Sequence, residues 1–194
     1  MTETLSSLET PRLLLRQWQA SDIESFAAMN GDPRVMEFFP ALMKADQSRE
    51  MVKNIEAHFQ RNGFGLWAAE LRQTGEFIGF VGLSRPTFEA HFTPCVEIGW
   101  RLAHAFWGQG YAPEAAQEVI RAGFEQLNLA EIVSFTATIN TRSIRVMEKI
   151  GMHSQPSETF AHPRLADGHP LQMHVLYRIS SSEQTQGLGA AVEV

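Results

Sequence analysis

CVEIGWRLAHAFWGQGYAPEAAQEVIRAGFEQLNL, residues 95–129, carries three patterns in one run. In its first eight residues Val96, Ile98, Trp100 and Leu102 alternate with Glu97, Gly99 and Arg101, the period of two that a strand imposes. Further on, the spacing is helical. Ala116, Val119, Ile120, Phe124 and Leu127 form one stripe, and Pro113 suits the first helical position. Between the two stands Trp107-Gly108-Gln109-Gly110-Tyr111-Ala112. A strand, a glycine-bearing turn and a helix in that order present unpaired backbone N–H groups to an anion, with the helix dipole behind them. The turn lacks the lysine and hydroxyl of a triphosphate loop and the third glycine of a dinucleotide fingerprint. Taken alone, it is equally a chain reversal.

Upstream, residues 1–10 are polar and expected to fray, and Arg12–Trp18 reads as a first strand. Ser21 and Glu24 have capping-box spacing for a helix over 21–30, a second helical piece is expected over 34–39, and Pro40 ends it. Asp46 or Ser48 can cap a longer helix with Met51, Val52, Ile55 and Phe59 on one face, closed by Asn62-Gly63. Residues 66–71 and 76–84 read as a hairpin around Thr74-Gly75. Gly79 and Gly82, inside an otherwise apolar strand, mark a bulge or a close backbone approach. Downstream, Ile132–Thr138 is a β-branched strand. Asn140 opens a helix carrying Ser143, Val146, Met147 and Ile150, and Gly151 stops it. Residues 152–159 and 171–179 read as a closing antiparallel pair, and 180–194 as a polar, disordered tail. The expected fold is one mixed α/β (α+β) domain over 11–179 with a mostly antiparallel central sheet flanked by helices.

At 194 residues and 44% hydrophobic, the chain can bury a core without staples. Sixteen basic against 22 acidic residues, a formal charge of −6 and no basic block argue against a nucleic-acid partner. One cysteine, Cys95, excludes an intrachain disulfide or a multi-cysteine zinc site and fits a reducing cytoplasm. No apolar run is long enough for a membrane span, and MTETLSSLETPRLLL has no secretory pattern. The histidines show no HExxH or similar pair, so no metal is expected.

VEIGWRL, WGQGYAPEA and NTRSIRVMEKIGM, in that order and spacing, resemble the GNAT superfamily of acetyl-CoA-dependent N-acetyltransferases. Within it they look like the branch that includes the ribosomal-protein N-terminal alanine acetyltransferases, as do the opening TPRLLLRQWQASD and the phrase GDPRVMEFFP. The resemblance spans residues 9–180. It implies a sheet splayed between the fourth strand (95–102) and the fifth (132–138), with acetyl-CoA as co-substrate. The implied acceptor is a protein or peptide N-terminal α-amine or a small-molecule amine, and the chain a monomer or homodimer. Of the family's Gln/Arg-x-x-Gly-x-Gly/Ala turn, Gly110 and Ala112 match the last two positions, and Trp107 stands at the first. The implied cofactor contacts are Ile98, Gly99, Trp107, Gly108, Gln109, Gly110, Tyr111, Ala112, Asn140 and Ser143.

Many relatives carry a tyrosine acid where this chain has Met147, which cannot donate a proton. Glu97 is the candidate general base, acting through water; the competing reading is a surface carboxylate or an ion pair with Arg101. Backbone N–H near Ile98 or Gly99 would meet the oxyanion. Ser143 either donates to the departing sulfur or only caps its helix. Phe38, Phe39, Phe64, Trp67 and Phe88 are candidates for an acceptor pocket, though each also suits core packing. Cys95 reads as a small buried strand thiol rather than a nucleophile. Two other activities fit the same motifs: acetylation of an aminoglycoside or polyamine, and acyl-CoA-dependent regulation without turnover.

Overall fold

The change from helical to strand period after Gly63 is a boundary in the computed structural model, which describes residues 4–183. The chain divides into two compact units. One holds the residues through Ser84 together with Gly99–Val119; the other holds Arg85–Ile98 and the residues from Ile120 onward.

In the first unit the strands run in the order β1 (Leu8–Glu9), β2 (Leu13–Arg16), β3 (Leu66–Leu71), β4 (Phe77–Ser84) and β5 (Glu97–Leu102), of which residues 99–102 lie here. The pairings β1–β2, β2–β3 and β3–β4 are antiparallel. Leu13 and Leu15 are fully buried and hold β2 to the core. Both strand glycines are required by close approach: a Cβ on Gly82 would stand 2.2 Å from the Gly65 carbonyl oxygen, and one on Gly79 2.2 Å from that of Arg101. The β3–β4 register also slips between Ala69 and Glu70. Residues 8–9, within the stretch expected to fray, are paired with β2, and the Leu5 N–H donates to the Gly63 carbonyl.

Two helices complete this unit with the start of a third, α1 (Asp22–Asn30), α2 (Ala45–Asn62) and α3 (Tyr111–Glu125). The expected Ser21/Glu24 box does not form, because Ser21 makes no side-chain cap. Asp22 takes over that end: its carboxylate accepts the Gln19 N–H and grips Arg16 at 2.7 and 2.9 Å, a charge-assisted fork stronger than a serine cap. Residues 34–39 are a run of turns rather than a helix. There the Val35 and Met36 N–H groups both donate to the Asp32 carbonyl, while the Asp32 side chain holds Arg34. α2 buries Ser48, Val52, Ile55 and Phe59 on one stripe, and Gly63 closes it at φ 76. Its cap is neither Asp46 nor Ser48. The Gln47 side chain reaches back to the Lys44 N–H, and Ser48 turns inward to Asn30.

The second unit orders its strands β5 (residues 97–98), β6 (Glu131–Ala137), β9 (Met173–Ser180) and β7 (His153–Ser154), with β8 (Phe160–Ala161) also on β9. Of the expected closing pair, 171–179 forms β9, while 152–159 holds only the short β7 and β8 follows it; both pair antiparallel with β9. β6 and β9 are antiparallel from Glu131↔Ser180 to Ala137↔His174. β5 and β6 are parallel. α4 (Thr141–Lys149) buries Met147, and Phe92, Val133, Phe160 and Leu176 form a core against which Phe88 and Phe135 pack. Of the expected tail, residues 180–183 are tied by bonds from the Ser180 N–H and hydroxyl to Glu183, and 184–194 lie outside the described residues. The fold is the expected one, a mixed α/β arrangement with mostly antiparallel pairing. No helix among the described residues is long and apolar enough to cross a membrane.

Candidate active site

In the first unit the run from Trp107 to Ala112 leads from β5 into α3. Gly108 and Gly110 have φ of 75° and 80°, the left-handed region that a side chain disfavours. Nothing lies within 4 Å of where a Gly108 Cβ would stand. None of the described residues accepts the backbone N–H of Gly108, Gln109 or Gly110. Free amides, open space and a helix start behind them suit a pyrophosphate. The side chains face elsewhere: the Trp107 indole N–H donates to the Leu102 carbonyl at 2.8 Å, and Gln109 donates to the Ala105 carbonyl at 3.1 Å. Trp107 therefore does not replace the family's polar first residue as a phosphate donor.

Arg12 sets this turn. Its guanidinium donates to the Gln109 carbonyl at 2.9 Å and to the Glu114 carboxylate at 2.6 Å, and lies 4.5 Å from the Tyr111 ring centroid. In a trans peptide the C=O of one residue and the N–H of the next point opposite ways. Holding the Gln109 oxygen therefore aims the Gly110 N–H away from Arg12. Burial alone would raise the Glu114 carboxyl, but hydrogen bonds from Thr10 and Arg12 outweigh it and hold the group below its ordinary range.

In the second unit β5 and β6 share register at a single pair, Glu97↔Val133. The Val133 N–H donates to the Val96 carbonyl at 2.9 Å. One step further the ladder is broken. The Ile98 carbonyl takes the Ser134 hydroxyl at 2.9 Å, a side chain in place of the next backbone donor. Within this unit the backbone ladder between β5 and β6 therefore ends at Ile98. Glu97 stands half-buried at that point. Cys95 precedes β5 and is also half-buried; burial, then the Glu97 charge, push its thiol up to about 11, so it is no thiolate nucleophile at neutral pH.

Asn140 caps α4. Its amide donates to Thr136 Oγ1 at 2.8 Å and to Ser143 Oγ at 3.1 Å, and its oxygen accepts the Ser143 N–H at 3.3 Å. Both side-chain protons are used inside the protein. What Asn140 retains for a cofactor is a lone pair, not a donor. Ser143 accepts from Asn140 at its oxygen and keeps its own proton to give. Met147 is buried in the core, as a residue without an acidic role would be.

A family model described as an Acetyltransferase (GNAT) domain matches residues 12–153. The chain belongs to this family. It is 36% identical to the uncharacterized protein YkkB of Bacillus subtilis over 76% of this chain and 86% of that one. A GNAT-family acetyltransferase from Bacillus anthracis superposes with a TM-score of 0.74 at 27% identity, over 92% of this chain and 99% of that one. The spermidine N-acetyltransferase of Vibrio cholerae, solved with CoA and spermine, shares the fold at a TM-score of 0.70 and 20% identity, covering 89% and 98%. As a GNAT protein, the chain is an acetyl-CoA-dependent N-acetyltransferase.

Two residues that hold the candidate site's backbone, Arg12 and Ser134, have little signal in the sequence. Arg12 lies 97 residues before Gln109. Its only linear signal is an arginine opening a strand. Ser134 shows as one polar residue inside IVSFTAT. Of the aromatic candidates, Phe64 and Trp67 are core, Phe38 and Phe88 are half-buried, and Phe39 is exposed. Arg101, the ion-pair partner considered for Glu97, is buried and bonded to Asn30. Among the described residues no three His, Cys, Asp or Glu side chains are grouped to hold a metal.

Proposed function

We propose that this acetyltransferase passes the acetyl group of acetyl-CoA directly to a primary amine, with Gly108–Ala112 holding the pyrophosphate and Glu97 taking the amine's proton through water. The observation that carries the reading is the set of unpartnered amides on two left-handed glycines at the start of α3. The amine nitrogen attacks the thioester carbonyl carbon, and backbone N–H at Ile98 or Gly99 meets the charge developing on oxygen. The C–S bond then breaks. Ser143, whose oxygen already accepts from Asn140, donates its proton in a hydrogen bond to the departing sulfur. A thiol near the ~8.5 of cysteine leaves readily as thiolate, so Met147 is tolerable in the tyrosine's place.

An α-amine is favoured over a lysine side chain. At pH 7 an amine of pKa ~7.7–8.0 costs about 1 kcal/mol to deprotonate, against about 4.6 kcal/mol at ~10.4. A half-buried carboxylate working through water is base enough for the first. CoA release across an amine panel tests the reaction. Gly110→Asp should abolish CoA binding, and unchanged affinity would refute the cradle. Glu97→Gln should lower turnover more at low pH than at high pH, where the amine is already neutral. A loss independent of pH would assign Glu97 to positioning.

A further inference from the structure

Arg101 carries a charge that no described residue balances. Arg12, Arg16, Arg34, Arg49, Arg72, Arg121 and Arg178 all pair with carboxylates, whereas Arg101 pairs with none. Yet it is only 9% exposed. Burial, with no anion opposing it, pushes its pKa down to about 10, which leaves it charged at neutral pH. A buried charge without a partner costs free energy that a leucine or methionine at the same place would not. Such a residue points to an anion that arrives from outside.

The guanidinium is held by one edge. Nη1 donates to Asn30 Oδ1 at 2.6 Å and lies 3.8 Å from the Met43 sulfur. Asn30 is itself fixed: its amide donates to Ser48 Oγ at 3.0 Å, and its carbonyl accepts the Met43 N–H at 3.1 Å. The opposite edge is idle. Nε is enclosed and has no acceptor, and Nη2 donates to none of the described residues. Nε and Nη2 together form the fork that takes the two oxygens of a carboxylate. Phe39 stacks on the guanidinium at 4.0 Å, and the Phe80 centroid lies 5.5 Å away. Phe39 is 37% exposed and sits in the turns between α1 and α2. A ring stacked on the face of the guanidinium leaves its in-plane Nε–Nη2 edge as the direction from which two oxygens can approach.

We propose that the Nε–Nη2 edge of Arg101 binds a carboxylate carried by the amine acceptor, so that the acceptor is an amino-acid-like or short peptidic amine rather than a polycation. This rests on the reading of the chain as an acetyltransferase of a primary amine. The cradle proposed at residues 108–112 already offers donors to the coenzyme phosphates, and a single planar fork suits one planar anion.

Two measurements separate the site from the reaction. In the first, an unreactive carboxylate, N-acetylglycine, and free acetate are titrated calorimetrically into the wild type, Arg101→Met and Arg101→Lys. N-acetylglycine should bind the wild type, roughly tenfold or more weaker in Arg101→Met, with Arg101→Lys between them. In the second, kcat/KM is compared for an amino acid and its carboxamide. The preference for the carboxylate should disappear in Arg101→Met. No binding of N-acetylglycine, a preference untouched by Arg101→Met, or acetate that binds without competing with the acceptor would each overturn the proposal. Arg101-dependent binding with no amine turned over would leave the site standing and remove the amine reading. Turnover without any carboxylate preference would do the reverse.

Discussion

Replacing Arg12 by methionine separates what its guanidinium does for the fold from what it does for the coenzyme. The Glu114 carboxylate accepts from the Thr10 hydroxyl at 2.6 Å, the Arg12 N–H at 2.9 Å and Arg12 Nε at 2.6 Å. With side-chain exposures of 45% and 17%, the Arg12–Glu114 pair is screened like a surface bridge, so it contributes about 1 kcal/mol. The bond to the Gln109 carbonyl adds about 1 kcal/mol net. Arg12→Met should therefore destabilise the protein by about 2 kcal/mol in urea denaturation. Its effect on CoA should be a Kd raised about fivefold, because the coenzyme must now order the 109–110 peptide that Arg12 held. Glu114→Gln should cost about 1 kcal/mol of stability and change Kd less than about twofold, since Arg12 still reaches Gln109. The double variant should bind CoA like Arg12→Met alone. Because Glu114 is held below its ordinary range, its contribution is present above the unfolded carboxyl value and is lost as pH falls through the folded one. An unchanged Kd in Arg12→Met, beside a clear loss of stability, would refute the claim that this arginine aims the Gly110 amide.

Gly82→Ala should destabilise by about 3 kcal/mol, because its Cβ would meet the Gly65 carbonyl at 2.2 Å and backbone must shift; a melting temperature equal to the wild type's would show that the strands separate freely there. Ser134→Ala removes the donor to the Ile98 carbonyl and should cost about 1–3 kcal/mol in denaturant, whereas Ser134→Thr, which keeps the hydroxyl, should retain most of it. A matching loss in both would assign the effect to packing. Burial, then His174 and Arg164, push His162 down to about 4, so the unfolded chain binds the extra proton between about 6.5 and 4. Stability should fall as pH drops through that window and level off below it. His162→Phe should flatten that part of the profile, and an unaltered slope would refute the assignment.

The legible parts of this sequence were those written in local chemistry. Val52, Ile55 and Phe59 sit on one helical stripe whatever they touch, and Gly63 ends the helix because its φ of 76° suits no other residue as well. The glycine turn was legible for the same reason. What failed were choices between local partners decided by distant ones. Ser21 and Glu24 have good capping spacing, but Arg16 draws Asp22 into a buried fork and the cap is not used. Ser48 looks like a helix cap and is instead the buried anchor of Asn30. Arg12 and Ser134 were invisible because their work lies in contacts with residues 97 and 36 positions away.

If the glycine turn and Arg101 hold anions as proposed, net charge says little about how this acidic chain does so. Arg12 lies at the glycine turn, yet Glu114 cancels its charge, so what it supplies to a phosphate is the direction of a peptide dipole. A cradle of that kind works at short range through free N–H groups, and long-range repulsion from a formal charge of −6 hardly opposes it once the phosphate is in contact. Arg101 is the opposite arrangement. Its charge is uncancelled and enclosed, where water and salt screen it least. CoA affinity should then depend weakly on added salt beyond the loss of the protein's general repulsion. Recognition of a carboxylate at Arg101 should persist at ionic strengths that abolish surface ion pairs, because the fork and its ligand would meet out of solvent.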